Sequence, residues 1–232
     1  DAKKEKVIGR QKLTYKSLVI EESILSVIPP TAFKLCVKDI LAGEGLIFLN
    51  WSAKCELWLS RVKWLGGVVE TFPTISEASL MLNLDSWLLP YISSVSSIKQ
   101  LKKLNIYELL IANLSWQEQQ FLAEQAPEYY ITPSEKTVPV SYDQHQGPTV
   151  SVILQEMFGQ LQSPLFAQGR VPLRFELLSP ARRPIQTTSD LANFWLSSYF
   201  DVAKEMRGKY LKHRWPEKPL DEKPGASIKR KY

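Results

Sequence analysis

The stretch RVPLRFELLSPARRPIQTTSDLANFWLSSYFDVAKEMRGKYLKHRWP, residues 170–216, decides how the rest of the chain is read. It opens on a strand-like run, RVPLRFELL at 170–178, turns through SPARRP, and adds a second strand candidate in PIQTT. Next comes an amphipathic pattern: Leu191, Phe194, Trp195, Tyr199, Val202 and Met206 recur at helical spacing. This predicts one long helix capped by Ser189, running to Arg207 and followed by Gly208. The exit, KYLKHRWP, interleaves basic and aromatic residues. Strand, turn, strand and helix in this order predict an α+β unit.

Working back from it, the segments YYITP, TVPVSYD and TVSVIL read as short strands separated by Pro, Gly, Ser and Asp. A short helix is expected at QEMFG (155–159). Upstream of Pro127 the period is helical throughout. Thr31 is a candidate cap for a helix with Phe33, Val37, Ile40 and Leu41, ending at Gly43. Ser52 caps a second, ended by Gly66-Gly67. Thr74-Ile-Ser-Glu77 and Ser115-Trp-Gln-Glu118 read as capping boxes, the latter opening a helix to about Ala126. SIKQLKKL and NIYELLIANL add two short helices. Tryptophans 51, 58, 64, 87 and 116 are expected in the core.

The fold class expected is therefore α+β: an N-terminal helical bundle, then a small mixed β-sheet with flanking helices. The expected divisions are 1–29 as a strand and linker, 30–127 as the bundle, 128–216 as the α+β domain, and 217–232 as a disordered basic tail, Pro- and charge-rich. Leu18, Val19 and Ile20 mark the one convincing strand in the opening segment, and a lone strand needs a pairing partner.

A composition of 44% apolar and 23% charged residues is that of an ordinary globular protein. No apolar run reaches the ~20 residues of a membrane helix. The amino terminus, DAKKEK, has no apolar signal core. Cys36 and Cys55 lack zinc-ligand spacing and are expected reduced, which points to the cytoplasm. The net charge of +5 is unevenly spread. Residues 1–69 carry +4, residues 70–169 carry −6, and residues 170–232, with 14 Lys and Arg against 7 Asp and Glu, carry +7. Such asymmetry suits either an external polyanion or pairing of the acidic middle with the basic end.

Pro180 and Pro184 hold the residues before them extended, so Arg182 and Arg183 are expected to project from a stiff turn, suited to bidentate phosphate contact. The competing reading pairs them internally with Glu176, Asp190 or the acidic middle section. Arg207, Lys209, Lys212 and Arg214 are further candidates for nucleic-acid backbone contact, with His213 beside them. Trp215 reads as a core anchor. Catalysis has little support: Ser141, Asp143 and His145 crowd one turn, whereas working triads assemble from separate elements. No GxxxxGK[ST] phosphate loop and no Asp-Glu-x-His run occurs.

These residues together resemble the carboxy-terminal signature of the HrpB-type ATP-dependent helicases, a bacterial branch of the DEAH-box RNA helicases. RVPLRFELL is similar to the family's RVPxxxxLL, SPARRPIQ to LSPARRPxQ, TSDLANFW to T-x-DLAxFW, and YFDVAKEMRG to Y-x-xVxKxMRG. KYLKHRWP is similar to RYPKHxWP, with Leu211 where the family has proline. QEMFG and the Trp-Leu pattern near 85–90 fit as well, and the resemblance implies that residues 1–29 are the residual strand and linker of a preceding oligonucleotide-binding barrel. The resemblance implies a non-catalytic accessory region of an ATP-dependent RNA helicase, inactive alone. ATP and magnesium would belong to RecA-like motor domains elsewhere in the parent chain, and no cofactor to this one. The partners implied are single-stranded RNA or another nucleic acid, and those motor domains. The alternative is a protein-interaction or structural module without nucleic-acid contact.

Overall fold

The computed structural model of the protein describes residues 7–226. The chain packs as two compact units, one built from residues up to 59 with 75–116, the other from 60–74 with 117 onward. Neither unit is continuous in sequence, and the division falls inside a helix and again near residue 116.

The first unit begins with an antiparallel hairpin of β1 (Arg10–Tyr15) and β2 (Leu18–Ile24). The strand expected around Leu18 thus has a partner. Arg10 and Lys12 both reach Glu22 across the ladder, at 3.0 and 3.7 Å. Every residue of both strands is exposed.

Helix α1 (Pro30–Glu44) buries Phe33, Val37 and Leu41, spaced by four, each burial stabilising by about 1.5–3 kcal/mol. Its start differs from expectation. Pro30, with φ fixed by its ring, occupies the first turn, so Thr31 lies inside the helix instead of capping it. The helix also passes Gly43 and stops at Glu44, where Gly45 takes φ 75°. Helix α2 (Ala53–Val68) likewise runs through Gly66-Gly67. Gly66 serves close approach: a Cβ there would lie 2.7 Å from the Pro73 carbonyl oxygen.

Short helices follow: α3 (Glu77–Leu82), α4 (Leu84–Trp87), α5 (Ile98–Leu101) and α6 (Ile106–Ile111). The box opening α3 is Ser76 with Ser79, and Thr74 and Glu77 do not form it. Trp87 is buried and donates its indole N–H to the Leu80 carbonyl at 2.9 Å. Lys38 and Asp85 pair at 2.7 Å.

The second unit contains most of α7 (Trp116–Gln125) and the strands. Trp116 is 73% exposed, a correction to its expected core role, whereas Trp58, Trp64 and Trp87 are buried. Placing the aromatic ring at the helix's first position leaves it outside the apolar stripe that carries Leu122. Arg61, 4% exposed, donates from Nε to the Ala126 carbonyl at 2.6 Å and pairs with Glu128 at 2.7 Å. A cation at the C-terminal end of α7 complements its dipole and its unpaired carbonyls.

Strands β3 (Tyr129–Ile131) and β4 (Thr137–Pro139) form one hairpin. TVPVSYD divides at Val140, whose N–H bonds Glu128, and continues as β5 (Ser141–Asp143). Then come β6 (Gly147–Ile153), the two-residue β7 (Leu165–Phe166) and β8 (Val171–Pro172), and β9 (Arg174–Leu178) and β10 (Pro184–Thr188). The main sheet has the order β10-β9-β6-β5, with β6 and β9 parallel and the other pairs antiparallel. A 3-10 turn at Leu154–Met157 begins the crossover. Alternation is visible in burial: Val150, Val152, Phe175 and Leu177 point into the core, while Ser151 and Glu176 meet on the other face.

The C-terminal helix is two helices, α8 (Leu191–Leu196) and α9 (Tyr199–Lys209), broken at Ser197-Ser198. Asp190, and not Ser189, caps α8, accepting from the Asn193 N–H at 3.0 Å. Gly208 lies within α9. The break keeps Phe194, Trp195, Tyr199 and Met206 all buried, and the Ser197 hydroxyl donates to the Asn193 carbonyl at 2.6 Å. No helix among the described residues is long and apolar enough to cross a membrane.

Candidate nucleic-acid interface

The arginine turn joins β9 to β10. Arg182 N–H bonds the Ser179 carbonyl at 2.8 Å, and Ser179 N–H bonds the Arg183 carbonyl at 2.8 Å. Pro180 supplies the fixed φ of the turn's second position. Arg182 takes φ 58°, the left-handed conformation that closes a three-residue hairpin loop and that glycine ordinarily occupies. The Ser179 side chain is nearly inaccessible. Its hydroxyl accepts the Arg183 N–H at 3.1 Å and the Tyr210 phenol at 3.3 Å, so one buried oxygen joins the turn to the end of α9.

Between that turn and α9 lies a cleft of about 330 Å³. Its apolar members, Ile185, Val202 and Met206, are covered or half-covered, whereas Arg183, Glu205 and Lys209 are exposed. Tyr210 and Ser179 line it as well. Lys209 and Glu205, one helical turn apart, pair at 2.6 Å.

The six cations expected at the interface separate into distinct situations. Arg182, Arg183 and Lys212 are exposed, and among the described residues none of their side chains has a hydrogen bond or ion pair. Lys209 shares Glu205 on the cleft. Arg207 is exposed, but its guanidinium donates to the Trp215 carbonyl at 2.8 Å. Arg214 is turned inward: it pairs with Glu222 at 2.9 Å, donates to the carbonyls of Lys223 and Gly225, and lies 5.8 Å from the Phe158 ring centroid.

Arg214 thereby holds residues 217–226, which composition marks as disordered. Gly225 N–H bonds the Gln155 carbonyl and Gly159 N–H bonds Pro219, completing the strap. Residues 227–232 lie outside the described residues. Trp215 is 4% exposed, a core anchor as expected. Burial raises the Tyr199 phenol well above its ordinary pKa, against a smaller lowering by Arg207, and its O–H donates to the Pro216 carbonyl at 2.7 Å.

Among the described residues none of Glu176, Asp190 and the acidic middle section engages the turn arginines. Glu176 accepts from Ser151 across the sheet, and Asp190 caps α8. Asp143 accepts the backbone N–H of both His145 and Gln146 at 2.8 Å, bonds that hold its carboxyl below the usual range. That is the geometry of a turn residue. Among the described residues no cluster of His, Cys, Asp or Glu could hold a metal ion.

Sequence reasoning missed the cleft itself. Val202, Met206 and Lys209 recur at helical spacing, but two of them read as core stripe, and only the hairpin's position over α9 leaves a gap there.

Comparison with known proteins agrees with this architecture. Residues 87–219 match the ATP-dependent helicase C-terminal family, HrpB_C. The chain is 41% identical over 194 residues to the ATP-dependent RNA helicase HrpB of Escherichia coli (strain K12), covering 82% of this chain and 24% of that protein. It also resembles the crystal structure of the E. coli DExH-box NTPase HrpB, with TM-score 0.77, 37% identity and coverage of 92% of this chain and 27% of that one. A second crystal structure, of the Escherichia coli DEAH/RHA helicase HrpB, gives TM-score 0.67 and 33% identity over 91% of this chain and 28% of the other. The chain thus spans about a quarter of the relatives it matches, and its matched sequence and fold place it in the HrpB ATP-dependent helicase C-terminal family.

Proposed function

We propose that this chain acts as a non-catalytic accessory region of an ATP-dependent RNA helicase and carries a contact surface for the backbone of single-stranded nucleic acid. The observation that carries the reading is the set Arg182, Arg183 and Lys212: three exposed cations that have no internal partner among the described residues, two of them on a rigid turn. A guanidinium held by a fixed backbone loses little freedom on gripping a phosphate. ATP and magnesium would be handled by motor domains of the same parent chain.

The second reading, a module that only docks on protein, drew on pairing between the acidic middle and the basic end. Among the described residues the ion pairs of the basic segment, Lys209–Glu205 and Arg214–Glu222, are internal to it. That leaves its outward cations for an external polyanion.

The test is fluorescence anisotropy of the chain with a short single-stranded RNA across a salt series, beside Arg182→Ala/Arg183→Ala. Binding that weakens with salt and drops about tenfold or more in the double variant is expected. No binding at low salt would overturn the reading and leave docking on the motor domains or another protein.

A further inference from the structure

The cleft between the arginine turn and α9 differs chemically from the cations around it, and the difference indicates what enters it. Its volume, about 330 Å³, suits a small flat group. A cavity of about 150 Å³ binds benzene, so a purine or pyrimidine fits here and a duplex does not. Its lining is mixed: Ile185, Val202 and Met206 give it an apolar wall, and Ser179, Tyr210 and the exposed Arg183, Glu205 and Lys209 give it polar groups. The Glu205 carboxylate lies on the cleft and offsets the charge of Lys209, with which it pairs at 2.6 Å. Among the described residues Arg183 is the cleft cation without a partner, with Arg182 beside it in sequence, on the exposed turn. The arrangement combines a ring-sized slot, apolar on one wall and polar at its edge, with the exposed arginines of the turn beside it.

We infer that the cleft takes one unstacked nucleobase of a single strand, while Arg182 and Arg183 hold the adjoining phosphates. This deepens the proposed function and rests on it. The Tyr210 ring, fixed at one end of the slot by its bond to Ser179, supplies an aromatic surface for the base. The Glu205 carboxylate accepts from a base amino group and the Lys209 ammonium donates to a base carbonyl, groups that duplex pairing would hide. A base enters only when its strand is unpaired, so the slot would favour single strands over duplexes by more than phosphate contacts alone.

The experiment compares three ligands of equal length by fluorescence anisotropy at low salt: a single-stranded RNA, its fully abasic ribose-phosphate counterpart, and the RNA duplex. Each is titrated against the chain, against Val202→Trp, which fills the slot from a half-exposed position, and against Arg182→Ala/Arg183→Ala. The expected result is single-stranded RNA binding about tenfold tighter than the abasic strand, a gap of ~1.4 kcal/mol within the stacking range. Val202→Trp should close that gap, while the arginine variant weakens both strands. Equal affinity for the base-bearing and abasic strands would overturn the slot and leave the phosphate reading standing. A gap that Val202→Trp leaves intact would place the stacking elsewhere and also overturn it. No salt-sensitive binding of any ligand would overturn both. Circular dichroism of Val202→Trp verifies folding, and the ligand comparison on the unsubstituted chain holds independently of that variant.

Discussion

The phenol of Tyr210, at the end of α9, donates a 3.3 Å hydrogen bond to the buried hydroxyl of Ser179, the residue that opens the arginine turn. The same oxygen accepts the Arg183 N–H, so hairpin and helix share one acceptor. Replacing Ser179 with Ala leaves a covered donor unmatched at each side. The expected cost is about 1–2 kcal/mol, read as a lower midpoint in chemical denaturation. RNA affinity should fall several-fold while the arginines themselves are intact. Unchanged stability and unchanged affinity together would show that the tether does not position the turn.

Arg182 allows stability and binding to be separated. Its φ of 58° is a conformation in which an L side chain costs roughly 1 kcal/mol relative to glycine. Arg182→Gly should therefore hold or raise the unfolding midpoint, by up to about 1 kcal/mol, yet weaken RNA binding. A variant both more stable and a poorer binder identifies the arginine as present for contact and not for the turn. Loss of stability would contradict that assignment.

Charge counting alone overstates the footprint. If all 14 Lys and Arg of residues 170–232 touched phosphates, the log-log dependence of affinity on salt would have a slope near −10, at about −0.7 per phosphate for single strands. Contact confined to the proposed set of Arg182, Arg183 and Lys212 predicts a slope near −2. Measuring the slope, and its decrease by about 0.7 in Lys212→Ala, checks the partition directly.

Arg214 should behave as a structural residue. Its guanidinium bonds Glu222 and two carbonyls of the strap. Arg214→Ala is expected to cost about 1.5–3 kcal/mol through lost charged hydrogen bonds and to raise hydrogen exchange across 217–226. The RNA salt slope should not change. A slope reduced as much as in Lys212→Ala would return Arg214 to the contact surface.

An alkaline transition follows from Tyr130. Burial pushes its phenol up to about 12 from 10.0, against a smaller lowering by the Gln160 hydrogen bond. The folded state holds the proton more tightly than the unfolded one. This contribution is therefore fully present below about pH 10 and is lost as pH rises toward 12. Tyr130→Phe should flatten that part of the stability profile between pH 10 and 12, at the expense of the 2.7 Å bond to Gln160 at neutral pH. An unchanged alkaline slope would assign it to other phenols.

The sequence made the strand–turn–strand of 170–188 and the helical character of 30–125 legible because both rest on local periodicity and proline. Helix boundaries were less legible. Gly66 looks like a helix stop but admits a close neighbour, and Ser197-Ser198 looks helical but breaks the stripe so that Tyr199 can be buried. The candidate cations were legible as residue types. Which of them face outward was not, because the inward turn of Arg214 depends on Glu222 and on a proline-rich segment whose composition resembles that of a free tail. The cleft was invisible for the same reason: it is a gap between a hairpin and a helix, and no single segment encodes it.

The second unit takes in residues 60–74 as well as the described residues from 117 onward, and this has a consequence for synthesis and for dissection. During translation Arg61 and Trp64 leave the ribosome well before Ala126, Glu128 and Tyr142, the groups they will contact, so that piece must wait for its neighbours to emerge. A fragment beginning at residue 128 would lack both the guanidinium paired with Glu128 and the indole packed on Tyr142. Any attempt to express the basic half by itself should carry the earlier segment with it, or supply it in trans.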